Sequence, residues 1–171
     1  MKRRTSLLVS GAIALSTMLS LAGCSQSRDD GSAALMKADR ARSSMQQFVR
    51  DTMTEAGGDW TSVGGTPSPD SCGLDDGSSG VSFSWNQHAE GAADPKSLVR
   101  RIEQYWKAQG LTNSERQGQR GDGLTLYTVV GEGEPVRSIS INASEHRTSI
   151  QVESLCGTGD VSDYIGGESD R

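Results

Sequence analysis

DPKSLVRRIEQYWKAQG, residues 94–110, carries a full set of helix signals. Asp94 is an N-cap, Pro95 takes the first helical position, where its missing N–H costs nothing, and Gly110 falls just past the end. Leu98, Val99, Ile102, Tyr105 and Trp106 recur at i, i+1, i+4, i+7 and i+8 and form one apolar face. Arg100, Arg101, Glu103 and Lys107 take the remaining surface. Leu111, after Gly110, can close the C-terminal end by hydrophobic contact. On the N-terminal side, Val81-Ser-Phe-Ser-Trp85 alternates apolar and polar residues, the pattern of a half-buried strand. On the C-terminal side lie four more strand segments: a weak one at 111–116, then 124–130, 136–142 and 148–155. The turns between them are short, so neighbours pair as antiparallel hairpins. A helix between the first and second strands is a crossover and makes those two parallel. Numbered along the chain, the sheet order 2-3-4-5-1 satisfies every one of these directions.

The predicted fold is therefore α+β, a two-layer sandwich with a mainly antiparallel sheet of about five strands packed by one or two helices. The helices cover one face. Thr128, Arg137, Gln151 and Glu153 are expected on a wet surface of the sheet. The other helix is predicted over 33–56, where Ala38, Ala41, Met45, Phe48, Val49, Met53 and Ala56 recur at three- and four-residue spacing. Asp30 or Ser32 would cap its start and Gly57-Gly58 would end it. Such a stripe packs on its own core; a partner-binding helix is the alternative. Residues 57–80 read as a long loop, punctuated by Gly64-Gly65, Pro67, Pro69 and Asp75-Asp76-Gly77 and pinned by Trp60 and Cys72. One domain is expected over 33–160, with a flexible tail over 161–171.

The N-terminus predicts location. Lys2, Arg3 and Arg4 precede an apolar run from Leu7 to Leu21, the form of a secretory signal over 1–23. Ser10, Gly11, Ser16, Thr17 and Ser20 interrupt the run, which falls short of the roughly 20 apolar residues of a membrane-spanning helix. Leu21-Ala22-Gly23-Cys24 then resembles the lipobox of bacterial lipoprotein precursors at all four positions. The resemblance implies cleavage before Cys24, lipid on its thiol, and a lipid-anchored protein on the extracytoplasmic face of the cell membrane. Two acyl chains give stable anchoring where one gives only marginal binding. Residues 24–32 would be the lipidated tether. In layout and in its Gly-, Ser- and Asp-rich composition the chain is also similar to small uncharacterised cell-envelope lipoproteins of high-GC Gram-positive bacteria.

Cleavage there removes three basic residues and no acid, leaving 14 basic against 22 acidic residues, a formal charge of −8. That excludes nucleic acid as an expected partner, because such binding rests on phosphate neutralisation by Lys and Arg. With 33% hydrophobic residues and eight aromatics, the core must be small. Export places Cys72 and Cys156 in an oxidising compartment, where a disulfide between them is the default; two free thiols or a metal site are the alternatives. The bond would close a loop worth roughly 4 kcal/mol in the chain-entropy model.

No catalytic constellation stands out, and no enzyme activity, cofactor or metal is expected. His88 and His146 each fall at the end of a predicted strand, without a third ligand at metal spacing, and read as loop histidines. No G-x-S-x-G elbow occurs. Phe83, Trp85, Ile102 and Trp106 would line a small pocket between helix and sheet for an apolar or lipid ligand; filling the core is the competing role. The expected function is a non-catalytic interaction or structural module of the cell envelope with an unknown protein partner. The alternative is a binding protein for a small apolar or lipid ligand.

Overall fold

Asp94 caps the helix α2 (Pro95–Ala108) with its carboxylate, which accepts the Ser97 backbone N–H at 2.9 Å. At the other end the Leu111 N–H donates to Trp106 O at 3.0 Å, Gly110 takes φ 93°, and Leu111 is buried. In the computed structural model, residues 35–119, 121 and 123–165 are described. The remaining elements are α1 (Ala38–Ala56), β1 (Thr61–Gly73), β2 (Ser79–Glu90), β3 (Thr112–Gln119), β4 (Thr125–Gly133), β5 (Val136–Ala143), β6 (Arg147–Ser154) and a single 3-10 turn at Val161–Asp163.

The six strands form one sheet in the order β1-β2-β6-β5-β4-β3, antiparallel at every step. From β3 to β2 this is the order expected from crossover and hairpin logic. The sheet gains β1 beyond it. Residues 61–73, expected as loop, form an edge strand paired with β2 from Thr61↔His88 to Gly73↔Ser79. Its register shifts between Val63 and Ser68, where Gly64 and Gly65 take φ near 80°. Positive φ is open to glycine at little cost, and the resulting bulge bends the edge. Pro67 and Pro69 suit an edge strand, where a missing N–H breaks no ladder.

The two helices lie antiparallel on one face of the sheet. Phe48 stacks near Tyr105 at 6.4 Å between centroids, and the Trp106 indole N–H donates to Thr52 Oγ1 at 3.1 Å. The core lies between this layer and the inner sides of β2, β6, β5 and β4, and includes Met45, Val49, Phe83, Ile102, Trp106, Val129, Ile139, Ile141 and Ile150. By strand alternation the other face carries Ser84, Asn86, Thr128, Ser138, Ser140, Asn142, Gln151 and Glu153. Thr128 Oγ1 donates to Asn142 Oδ1 at 2.8 Å there, and Arg137 pairs with Glu153 at 3.2 Å, so the four expected polar residues share one open surface.

Two ends differ from expectation. Helix α1 starts at Ala38, not 33, and its N-cap Lys37 makes no side-chain cap; Asp30 and Ser32 lie outside the described residues. Residues 36–38 are instead held extended against the chain beyond β6. Thr158 N–H donates to Met36 O at 2.7 Å and Ala38 N–H to Thr158 O at 3.1 Å. The chain also stays packed past 160. Val161 and Tyr164 contact the core, and the Tyr164 ring meets Phe83 edge-on at 5.1 Å. Residues 166–171 of the expected tail lie outside the described residues.

Candidate functional site

At the far end of α1 from Lys37, the helix stops at Gly57, whose N–H donates to Met53 O at 2.9 Å with φ 72°. Gly58 follows at φ 84°. A side chain at either position would be strained, so these glycines set the turn. The turn is then tied down. The Trp60 indole N–H donates to Gly57 O at 2.9 Å, and Arg101 of α2 donates to Ala56 O at 3.0 Å. Two of the carbonyls left over at the helix end are thereby satisfied.

The opposite wall is the end of β2. After Glu90 the chain passes Gly91 beneath the β5–β6 turn, and Ala92 N–H donates to Ser144 O at 3.0 Å. A β-carbon on Gly91 would stand only 2.0 Å from Glu145 O. We expect Gly91→Ala to destabilise by about 1–3 kcal/mol through this overpacking. Hydrogen exchange should show the 144–147 turn losing protection; unchanged protection and stability would mean the two segments do not touch.

Between these walls opens a cleft of about 590 Å³, a size suited to a small molecule. Ala56, Trp60, Ala89, Ala92 and Leu98 give it apolar surface, and Asp59 and Glu90 are its only acids. Both acids are exposed, and neither carboxylate has an ion-pair or hydrogen-bond partner among the described residues. No lysine or arginine lines the cleft. Thr148 stands opposite Ala89 in the ladder, on the helix-covered face with Ile150 and Val152. It is 2% exposed, it lines the cleft, and its hydroxyl has no partner. An unsatisfied buried hydroxyl is costly and calls for a physical reason.

Of the residues singled out in the sequence, Trp60 and His88 line this cleft and the others fall elsewhere. Cys24 lies outside the described residues. Cys72 and Cys156 form a disulfide with Cα atoms 5.9 Å apart, joining the end of β1 to the strand exit after β6. Phe83, Ile102 and Trp106 have no exposed surface, so no space even for a water molecule opens against them; these side chains fill the core and line no pocket. Trp85 is half-buried at the sheet margin, its indole N–H shared between Ser62 Oγ (2.8 Å) and Gly65 O (2.9 Å). His88 stands opposite Ser149 and Thr61 on the open sheet face, with a buried Nδ1 that has no partner. His146 is exposed in the β5–β6 turn.

Sequence reasoning missed the cleft because its walls come from a helix end, a strand end and a turn that meet only in space. The one local signal was Gly57-Gly58-Asp59-Trp60, a helix stop followed directly by an acid and a large aromatic. No protein-family model and no curated protein matches the chain. Among solved structures, it is similar to a crystal structure of a DUF4853 family protein from Actinomyces odontolyticus ATCC 17982, with 13% identity and a TM-score of 0.48. The match covers 72% of this chain and 67% of that one.

Proposed function

We propose that the chain is the precursor of an extracytoplasmic lipoprotein, anchored to the cell membrane by lipid on Cys24, that serves as a non-catalytic interaction or structural module of the cell envelope. The observation that carries this reading is Leu21-Ala22-Gly23-Cys24 at the end of a basic and then apolar leader. The Cys72–Cys156 bond supports the export half of it, since disulfides persist in oxidising compartments. The lipid half rests on the motif. A carrier role for an apolar ligand between the layers has no observation in its favour, given the closed core around Phe83, Ile102 and Trp106.

Fractionation of the producing cell tests the anchor. The wild type is expected in the membrane fraction, with a mature mass that begins at a lipid-modified Cys24. Cys24→Ala is expected in the soluble fraction or as unprocessed precursor. A Cys24→Ala protein that remains in the membrane at mature size would rule the lipoprotein reading out.

A further inference from the structure

We propose that the domain rests on the lipid surface by the end where its chain enters and leaves the fold, with Leu35 and Ile165 inserted among the headgroups, so that the cleft end faces away from the membrane. This inference rests on the reading of Cys24 as the lipid anchor. Among the described residues, three large apolar side chains are exposed: Leu35 at 41%, Val63 at 47% and Ile165 at 68%. Two of the three stand at this one end. Leu35 precedes Met36, whose carbonyl accepts the Thr158 N–H. Ile165 follows Tyr164, whose ring lies beside the first turns of α1, 5.4 Å from the Arg42 guanidinium. A β-carbon on Gly159 would meet Ala38 at 3.3 Å and the same ring at 3.6 Å, so the entry and the exit of the chain are held together. Lys37 and Arg40 belong to this end as well. Both are exposed, and neither side chain has a hydrogen-bond or ion-pair partner among the described residues.

Ten residues, 25–34, separate Cys24 from Leu35. A chain of that length spans at most about 40 Å, so lipid on Cys24 holds this end within that distance of the bilayer. Tethering makes contact with the surface an intramolecular step, at an effective concentration on the order of millimolar. Two apolar side chains then suffice where a free domain would not stay bound. Leu35 and Ile165 leave water on insertion, while the Lys37 and Arg40 stems lie along the interface with their charges toward lipid phosphates. Asp75, Asp76 and Asp163 share this end and oppose an anionic surface, so apolar insertion carries the contact. The tether alone would let either end touch lipid; the apolar pair selects one. The 19 residues of α1 put Gly57 and the cleft about 28 Å from the entry point. That far end carries the exposed acids Asp59, Glu90 and Glu145.

The test is photo-labelling from the lipid side. The protein is purified with its lipid from the producing cell, checked by mass, and reconstituted in phosphatidylcholine vesicles that contain a phospholipid with a headgroup diazirine. Peptide mass spectrometry after photolysis reads which segments meet lipid. Segments 35–40 and 161–165 are expected to be labelled well above 57–61 and 144–147. The variant Leu35→Ser/Ile165→Ser, at an unchanged melting temperature, should still float with the vesicles but lose labelling at 161–165 by about fivefold or more, the scale of losing two apolar insertions. Val63→Ser, at the remaining exposed apolar residue, should label as the wild type does. Equal labelling of the two ends would overturn the proposal and leave the anchor standing, and so would a Leu35→Ser/Ile165→Ser protein labelled like the wild type. An unlipidated Cys24 in the purified protein would overturn both.

Discussion

Trp106→Ala is expected to lower stability by about 3–5 kcal/mol, the range for removing a large buried aromatic, and to drop the melting temperature by roughly 10–20 °C. Trp106 is the largest fully buried side chain, and three separate parts of the fold meet on it. Its indole N–H reaches Thr52 on α1, its backbone carbonyl accepts the Leu111 N–H that ends α2, and its ring lies against Gly131 of β4. A β-carbon at Gly131 would come within 3.0 Å of that ring, so the bare backbone is what admits the indole to the sheet. Alanine at 106 would leave a cavity and a buried Thr52 hydroxyl without its donor. Trp106→Phe separates the two costs: it keeps most of the volume and should cost about 1–3 kcal/mol for the unpaired hydroxyl and the residual void. Urea denaturation of the three proteins checks the order. An alanine variant as stable as the wild type would mean that α2 is not docked as described.

The second large effect is expected from the disulfide. Opening Cys72–Cys156, which are 84 residues apart in sequence, should cost about 4 kcal/mol through the entropy returned to the unfolded chain. The loss should be localised before it is global. β1 is an edge strand with mostly exposed residues, and its far end is held by the bond. Beside it, Val81 and Gly157 exchange two backbone hydrogen bonds of 2.8 and 2.9 Å. Reductant should therefore strip exchange protection first from 68–73 and 156–158, and only at higher denaturant from the β5–β6 pair. In a Cys24→Ala background, thiol labelling should find no free thiol before reduction and two after it. Two reactive thiols in the untreated protein would remove the covalent tie from the account.

What the sequence made legible follows the strength of its local signals. Helix α2 has a cap, a proline, an apolar face and a glycine stop that agree, and it was readable to within a residue at its end. The antiparallel order of β3 to β6 followed from turn lengths, and the place of β2 from the crossover. Strand β1 was illegible for a physical reason: it is exposed on both faces and interrupted by Gly64-Gly65, so it carries no apolar alternation. What makes it a strand is pairing with β2, a long-range fact. The start of α1 was misplaced because the chain at 36–38 is drawn off by Thr158, more than a hundred residues away. Thr52 shows the same limit. It is polar on an apolar stripe, and only the partner indole of Trp106 explains its burial. The cleft was hardest to see, since no two of its walls are neighbours in sequence.

The pairing of residues 36–38 with 157–158 has a mechanical consequence. Any pull on the domain from its N-terminal side enters at Met36 and Lys37, and passes at once through Thr158 and Gly157. One residue further lies Cys156, bonded to Cys72 on the edge strand. Tension is thus shared between the first residue of α1, which is itself tied to Thr158, and a segment braced by a covalent bond. A single-molecule pulling experiment from the N-terminus should find a high rupture force in the oxidised chain and a low one after reduction.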